Sequence, residues 1–197
     1  MYTKLMSVAF LLFSFSLVAQ KQEETLFRNA RLSGGFAAPM FSYSRANGHA
    51  VYGAGGGMGL VFNQLFVGFF GMGETFSGPK FQGDQLALGY GGLWLGYTVP
   101  THKLVHLYGS LKIAGGAVGA TNFDDDWDFD ENVDDAVFVG IPEVGVELNV
   151  ARWFRLSGTA GYRFVGDFQG WNTLGKNDLS APVFGLTARF GWFGTRR

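Results

Sequence analysis

The sequence predicts an all-β protein: an eight-stranded antiparallel transmembrane β-barrel, preceded by a cleavable signal peptide. Three observations carry that expectation. The first is alternation. Val144, Val146, Leu148, Phe154, Leu156, Ala160, Tyr162 and Phe164 share one parity, while Gly145, Glu147, Asn149, Arg155, Ser157, Thr159, Gly161 and Arg163 share the other. Strand side chains alternate between faces, so one face is apolar and the other carries charge. The pattern recurs about eight times along the chain. The second is the spacing of connections, which alternate long and short. The third is an N-terminal apolar segment, after which no apolar run is long enough to span as a helix.

Residues 1–19 have the form of a signal peptide: Lys4, then the apolar stretch Val8–Val18, then small Ala19 before Gln20. Residues 20–30 are a polar lead, 31–193 the barrel and 194–197 a short tail. Removing residues 1–19 takes away Lys4, leaving 14 Lys and Arg against 16 Asp and Glu. That near balance argues against nucleic-acid binding, which needs a basic face. The chain has no cysteine, which excludes disulfides, thiolate metal sites and a lipoprotein anchor. Glycine is abundant, 31 of 197 residues. In a narrow barrel glycine lets strands bend and makes room for inward side chains.

The strands are expected at about 31–43, 51–62, 65–73, 85–98, 104–116, 137–150, 153–165 and 183–193. The second sets Tyr52, Ala54, Met58, Leu60 and Phe62 against Gly53, Gly55, Gly57 and Gly59. The third is apolar on both parities, which leaves its inner face open. The fourth changes apolar parity at Gly91-Gly92, as a bulge would. The fifth alternates cleanly, with His106, Tyr108, Ser110 and Lys112 on its polar side. Short connections fall near Asn63, Pro100 and Ala151. Long ones cover 44–50, 74–84, 120–135 and 166–180. Trp94, Tyr97, Trp153, Phe154, Phe164 and Trp192 fall near strand ends, where a barrel wears its aromatic girdles. A soluble lipocalin-like barrel would bury the apolar parity, but Gly, Ser and sparse charges make a poor solvent face.

The chain resembles the outer-membrane protein β-barrel domain family, and within it the small eight-stranded OmpX- and OmpA-like barrels. The residues that carry the resemblance are Gly145-Val-Glu-Leu-Asn-Val-Ala-Arg-Trp-Phe-Arg-Leu156, Gly161-Tyr-Arg-Phe164 and Gly185-Leu-Thr-Ala-Arg-Phe-Gly-Trp-Phe193. It covers about 31–193 and implies the bacterial outer membrane, with residues 20–30 in the periplasm. It also implies contact with outer-membrane lipid and lipopolysaccharide, and handling by the barrel-insertion machinery. Family members usually end on an aromatic residue; here Gly194-Thr-Arg-Arg197 follows Phe193.

Lys112, Glu143, Glu147, Arg155, Arg163 and Arg189 are expected in the lumen as a paired charge network, because an isolated buried ion is costly. Symmetry about Ala151 sets Glu147 opposite Arg155, and symmetry about the acidic loop sets Lys112 opposite Glu143. Residues 124–135 hold eight of the sixteen acids. Asp124, Asp126, Asp128 and Asp130 alternate as the ligands of a calcium loop do, but the sixth position is Phe129 rather than Gly and the twelfth Asp135 rather than Glu. They offer at most a loosely bound divalent cation; no other cofactor is expected. Trp127 and Phe129 in the same loop are expected to pack it onto its neighbours, and are otherwise the candidate contacts for a surface ligand.

The functional expectation is a structural or surface-interaction protein with a closed polar lumen, acting as a monomer through its outer loops. The alternatives are a narrow low-conductance channel and, third, a lipid A-modifying enzyme. His49, His102 and His106 are the only histidines, and no Gly-x-Ser-x-Gly elbow occurs. No catalytic constellation is assigned.

Overall fold

The structure, a computed structural model, describes residues 32–46, 48–76, 85–99, 103–121, 135–166 and 179–193. The candidate cation ligands Asp124, Asp126, Asp128 and Asp130, the loop aromatics Trp127 and Phe129, the signal peptide and the tail lie outside them. Eight strands form: β1 Leu32–Ala46, β2 His49–Phe62, β3 Leu65–Phe76, β4 Gln85–Val99, β5 Val105–Thr121, β6 Asp135–Ala151, β7 Phe154–Gly166 and β8 Ala181–Trp192. Each pairs antiparallel with its sequence neighbour, and β1 pairs with β8. The sheet closes, leaving no free edge. With 12 to 17 residues, every strand exceeds the roughly 10 needed to cross hydrocarbon.

The apolar parity faces outward. Val144, Leu107, Met58, Phe69 and Trp192 are each about two-thirds exposed. Among the described residues the exposed cations, Arg45, Lys103 and Arg152, stand at strand ends, while the charged side chains of the strand interiors are buried. Water would penalise such a surface and lipid would not. Tyr97, Trp153, Phe164 and Trp192 are exposed, and Trp153, Phe154 and Phe190 stack against one another at centroid distances of 4.8 to 6.1 Å.

Several expectations are corrected. Trp94 is not in the girdle: it is fully buried in the lumen. No bulge occurs at Gly91-Gly92, where pairing to Gly71 and Phe70 is continuous. The apparent parity change has another cause. Leu88 and Tyr90 face inward near the loop end, so large side chains there occupy the lumen parity. The register shifts lie instead between Leu32 and Gly34 and between Asn149 and Ala151. Within the loop expected at 44–50 strand pairing continues as far as Ala46 with His49. Gly48 takes φ 85°, the left-handed conformation that glycine adopts readily in a tight hairpin turn. The third strand resolves as Leu65, Val67 and Phe69 outward and Phe66, Phe70, Met72, Glu74 and Phe76 inward.

The inner face of β2 shows what its glycines do. A Cβ on Gly57 would strike Met40 and Phe70, and one on Gly59 would press on Phe36. Bare backbone on β2 thus lets large side chains from β1 and β3 cross the lumen.

Candidate functional site

The polar parity of the strands builds a ladder of charge along the lumen. At the turn-side end, Glu147 on β6 sits directly between His106 on β5 and Ser157 on β7. Its Oε1 lies 2.8 Å from His106 Nε2 and accepts from Arg155 Nη1 at 3.1 Å; its Oε2 lies 2.8 Å from Arg189 Nη1. Glu147 is wholly buried. His106 Nδ1 faces the carbonyl of Lys103 at 3.3 Å, which ties the ladder to the β4–β5 turn. One carboxylate thus holds three nitrogen bases from three strands.

The Arg189 guanidinium sits inside a cage of rings. Its Cζ lies 4.3 Å from the Tyr108 centroid, 4.6 Å from Phe66, 5.1 Å from Phe36 and 5.3 Å from Trp94. Within the cage, Phe66 and Trp94 pack edge-to-face at 4.9 Å. Arg155 lies over Phe193 at 4.0 Å. Desolvated cation–π contacts of this kind are worth up to about 2 kcal/mol each.

The middle rung is Lys112 with Glu143. Lys112 Nζ donates to Glu143 Oε1 at 2.9 Å, and Ser110 Oγ donates to Oε2 at 2.8 Å. The upper rung, at the loop end, joins Arg163 to Glu74. Tyr90 donates its hydroxyl to Glu74 Oε1 at 2.8 Å, and Ser42 donates to the same oxygen at 3.2 Å. Arg163 Nε also donates to the Leu179 carbonyl at 2.9 Å, pinning the foot of the β7–β8 connection. Around and beyond this rung the buried side chains are mostly apolar, Val51, Phe76, Leu88, Val118, Val139 and Leu179 among them, with Ser44.

The structure brings all six expected lumen charges inside, but not in the expected register. Glu147 pairs with Ser157, and Arg155 with Asn149. Lys112 pairs with Ile141, and Glu143 with Ser110. The β6–β7 turn is centred on Arg152-Trp153 rather than on Ala151, which displaces the partners of Glu147 and Arg155 by two residues; the β5–β6 register is separately displaced by two. A displacement of two preserves the face, and long side chains reach diagonally, so the charges still meet. Glu74 is the residue that sequence reasoning misses, since an acid after Gly73 reads as the start of a loop. The inward series Phe66, Phe70, Met72, Glu74 is the signal that could have found it. Among the described residues, no group of three His, Asp or Glu is arranged to hold a metal.

No protein-family model matches the chain, and no curated protein sequence does. Solved structures do match. Neisserial surface protein A superposes with a TM-score of 0.56 at 13% identity, over 81% of this chain and 96% of that one. This is the fold of the small outer-membrane barrels. Also similar are Ail, the attachment invasion locus protein of Yersinia pestis (TM-score 0.47, 12% identity, 82% of this chain and 100% of that one), and OprG from Pseudomonas aeruginosa (0.41, 13%, 83% and 96%). The outward apolar band of this outer-membrane-type barrel is its lipid face, and the charge ladder lines its interior.

Proposed function

We propose that the protein is a closed outer-membrane barrel that serves a structural or surface-interaction role. In this reading the strands are a rigid frame and the long connections on the loop side meet other molecules. One observation carries it. Paired charges and packed rings fill the described lumen from the Glu147 cluster to the apolar layer at Leu88 and Val139. An eight-stranded lumen is only wide enough for side chains, and here they are large. Catalysis on lipid is no part of this reading, because His106 is turned away from the acyl chains and onto Glu147. Planar-bilayer recording of the refolded barrel tests it. The expected trace shows no steady openings. Ohmic openings abolished by substituting Glu147 or Arg189 would establish the narrow channel instead.

A further inference from the structure

We propose that the turn-side mouth of the lumen binds one small monovalent anion, of halide size, between Arg155 and Arg189. Three observations converge on that position. The first is charge. Arg155 and Arg189 are direct partners across β7 and β8. Like charges directly opposite repel. They share a single carboxylate, Glu147, which His106 also engages. The other rungs are matched one to one, Lys112 with Glu143 and Arg163 with Glu74. Among the described lumen residues the surplus cation therefore falls on this pair, and a buried charge without a counter-charge is costly.

The second is space. Arg155 and Arg189 line a cavity of about 10 Å³, together with Asn63, Gln64, Thr98 and the apolar Val61, Phe66 and Phe193. That is room for one water-sized particle. A bare halide is of that order of size, and an organic anion such as gluconate is far larger. No carboxylate among the described residues lines it. Gln64 spends its carbonyl oxygen on the Tyr97 hydroxyl at 2.7 Å, so its remaining polar group is a donor. The lining thus offers positive charge and N–H or O–H groups.

The third is unmet hydrogen bonding. Arg189 Nε and Nη2 are buried away from the cavity and meet no hydrogen-bond acceptor among the described residues, so Glu147 is the one described charge partner of this guanidinium and an ion held beside it adds to the balance. The surrounding rings attract the cation but accept no strong hydrogen bond from it.

The test compares chloride with gluconate, which is too large to enter, at constant ionic strength. The barrel is refolded in detergent micelles and unfolded in urea. The midpoint should rise saturably with chloride, by roughly 0.5–1 M at saturation. The rise should vanish in Arg155→Gln, which removes the surplus cation. Crystals of the unaltered protein grown in bromide should show an anomalous peak flanked by Arg155 and Arg189. This second measurement decides the matter if the variant does not fold. Equal midpoints in the two salts, a chloride effect undiminished in Arg155→Gln, or no bromide at this position would overturn the proposal.

Discussion

The two ends of the lumen solve the same problem differently. At the turn end, Glu147 is shared by His106, Arg155 and Arg189, and four rings enclose one of those cations. At the loop end, Glu74 faces Arg163 alone, aided by Tyr90 and Ser42, beneath a layer of aliphatic side chains. The turn end is a hub, where losing one group strands several. The loop end is a pair, where both members can be exchanged together. The difference teaches where this barrel keeps its rigidity and where it tolerates change.

The largest expected effect breaks the hub. Glu147→Ala leaves two guanidinium groups and an imidazole without their shared acceptor, and should cost about 4 kcal/mol. Urea unfolding in micelles reads it, and an unchanged midpoint would refute the hub. Next comes Glu74→Ala at the loop end, at about 3 kcal/mol, since it strands one cation, Arg163, together with the Tyr90 and Ser42 hydroxyls. The contrast sharpens in the double variant Glu74→Leu with Arg163→Met. Replacing both members with apolar groups of similar size removes the stranded charge, and most of the loss should be recovered despite the unpaired Tyr90 and Ser42 hydroxyls and Leu179 carbonyl. Heat-modifiable gel mobility should therefore return to that of the parent. No such double exchange exists for Glu147, whose partners sit on three strands. Smaller again is Arg189→Lys, at roughly 1–2 kcal/mol, because an ammonium cannot fill a cage shaped for a planar guanidinium. The smallest is His106→Gln, below about 1 kcal/mol, as the amide can still donate to Glu147. If His106→Gln matched Glu147→Ala, the histidine rather than the carboxylate would be the centre of the hub.

Much of this is legible in the sequence because face depends only on parity. The eight strands and the six lumen charges follow from alternation, and a register error of two leaves every face intact. Alternation misleads wherever the apolar and polar faces stop being opposites. Leu88 and Tyr90 point inward beside Glu74, and these large inward side chains mimic a bulge at Gly91-Gly92. Trp94 lies inside because Arg189 is caged there, although a tryptophan near a strand end reads as a girdle residue. Glu74 looks like the end of a strand, as an acid directly after Gly73; only its hydrogen bonds from Tyr90 and Ser42 show why it is inside. The shared use of Glu147 depends on the turn at Arg152-Trp153, which one residue of uncertainty in a hairpin conceals.

The most direct test of a sealed, lipid-facing barrel uses its lack of native cysteine. Single cysteines at Val144, which is 70% exposed, and at Thr159, which is buried, report the two faces. In lipid vesicles, a lipid-soluble maleimide should label Val144→Cys, and a membrane-impermeant maleimide should label neither from either side. Rapid labelling of Thr159→Cys by the impermeant reagent would reveal a water-filled lumen and contradict a closed one.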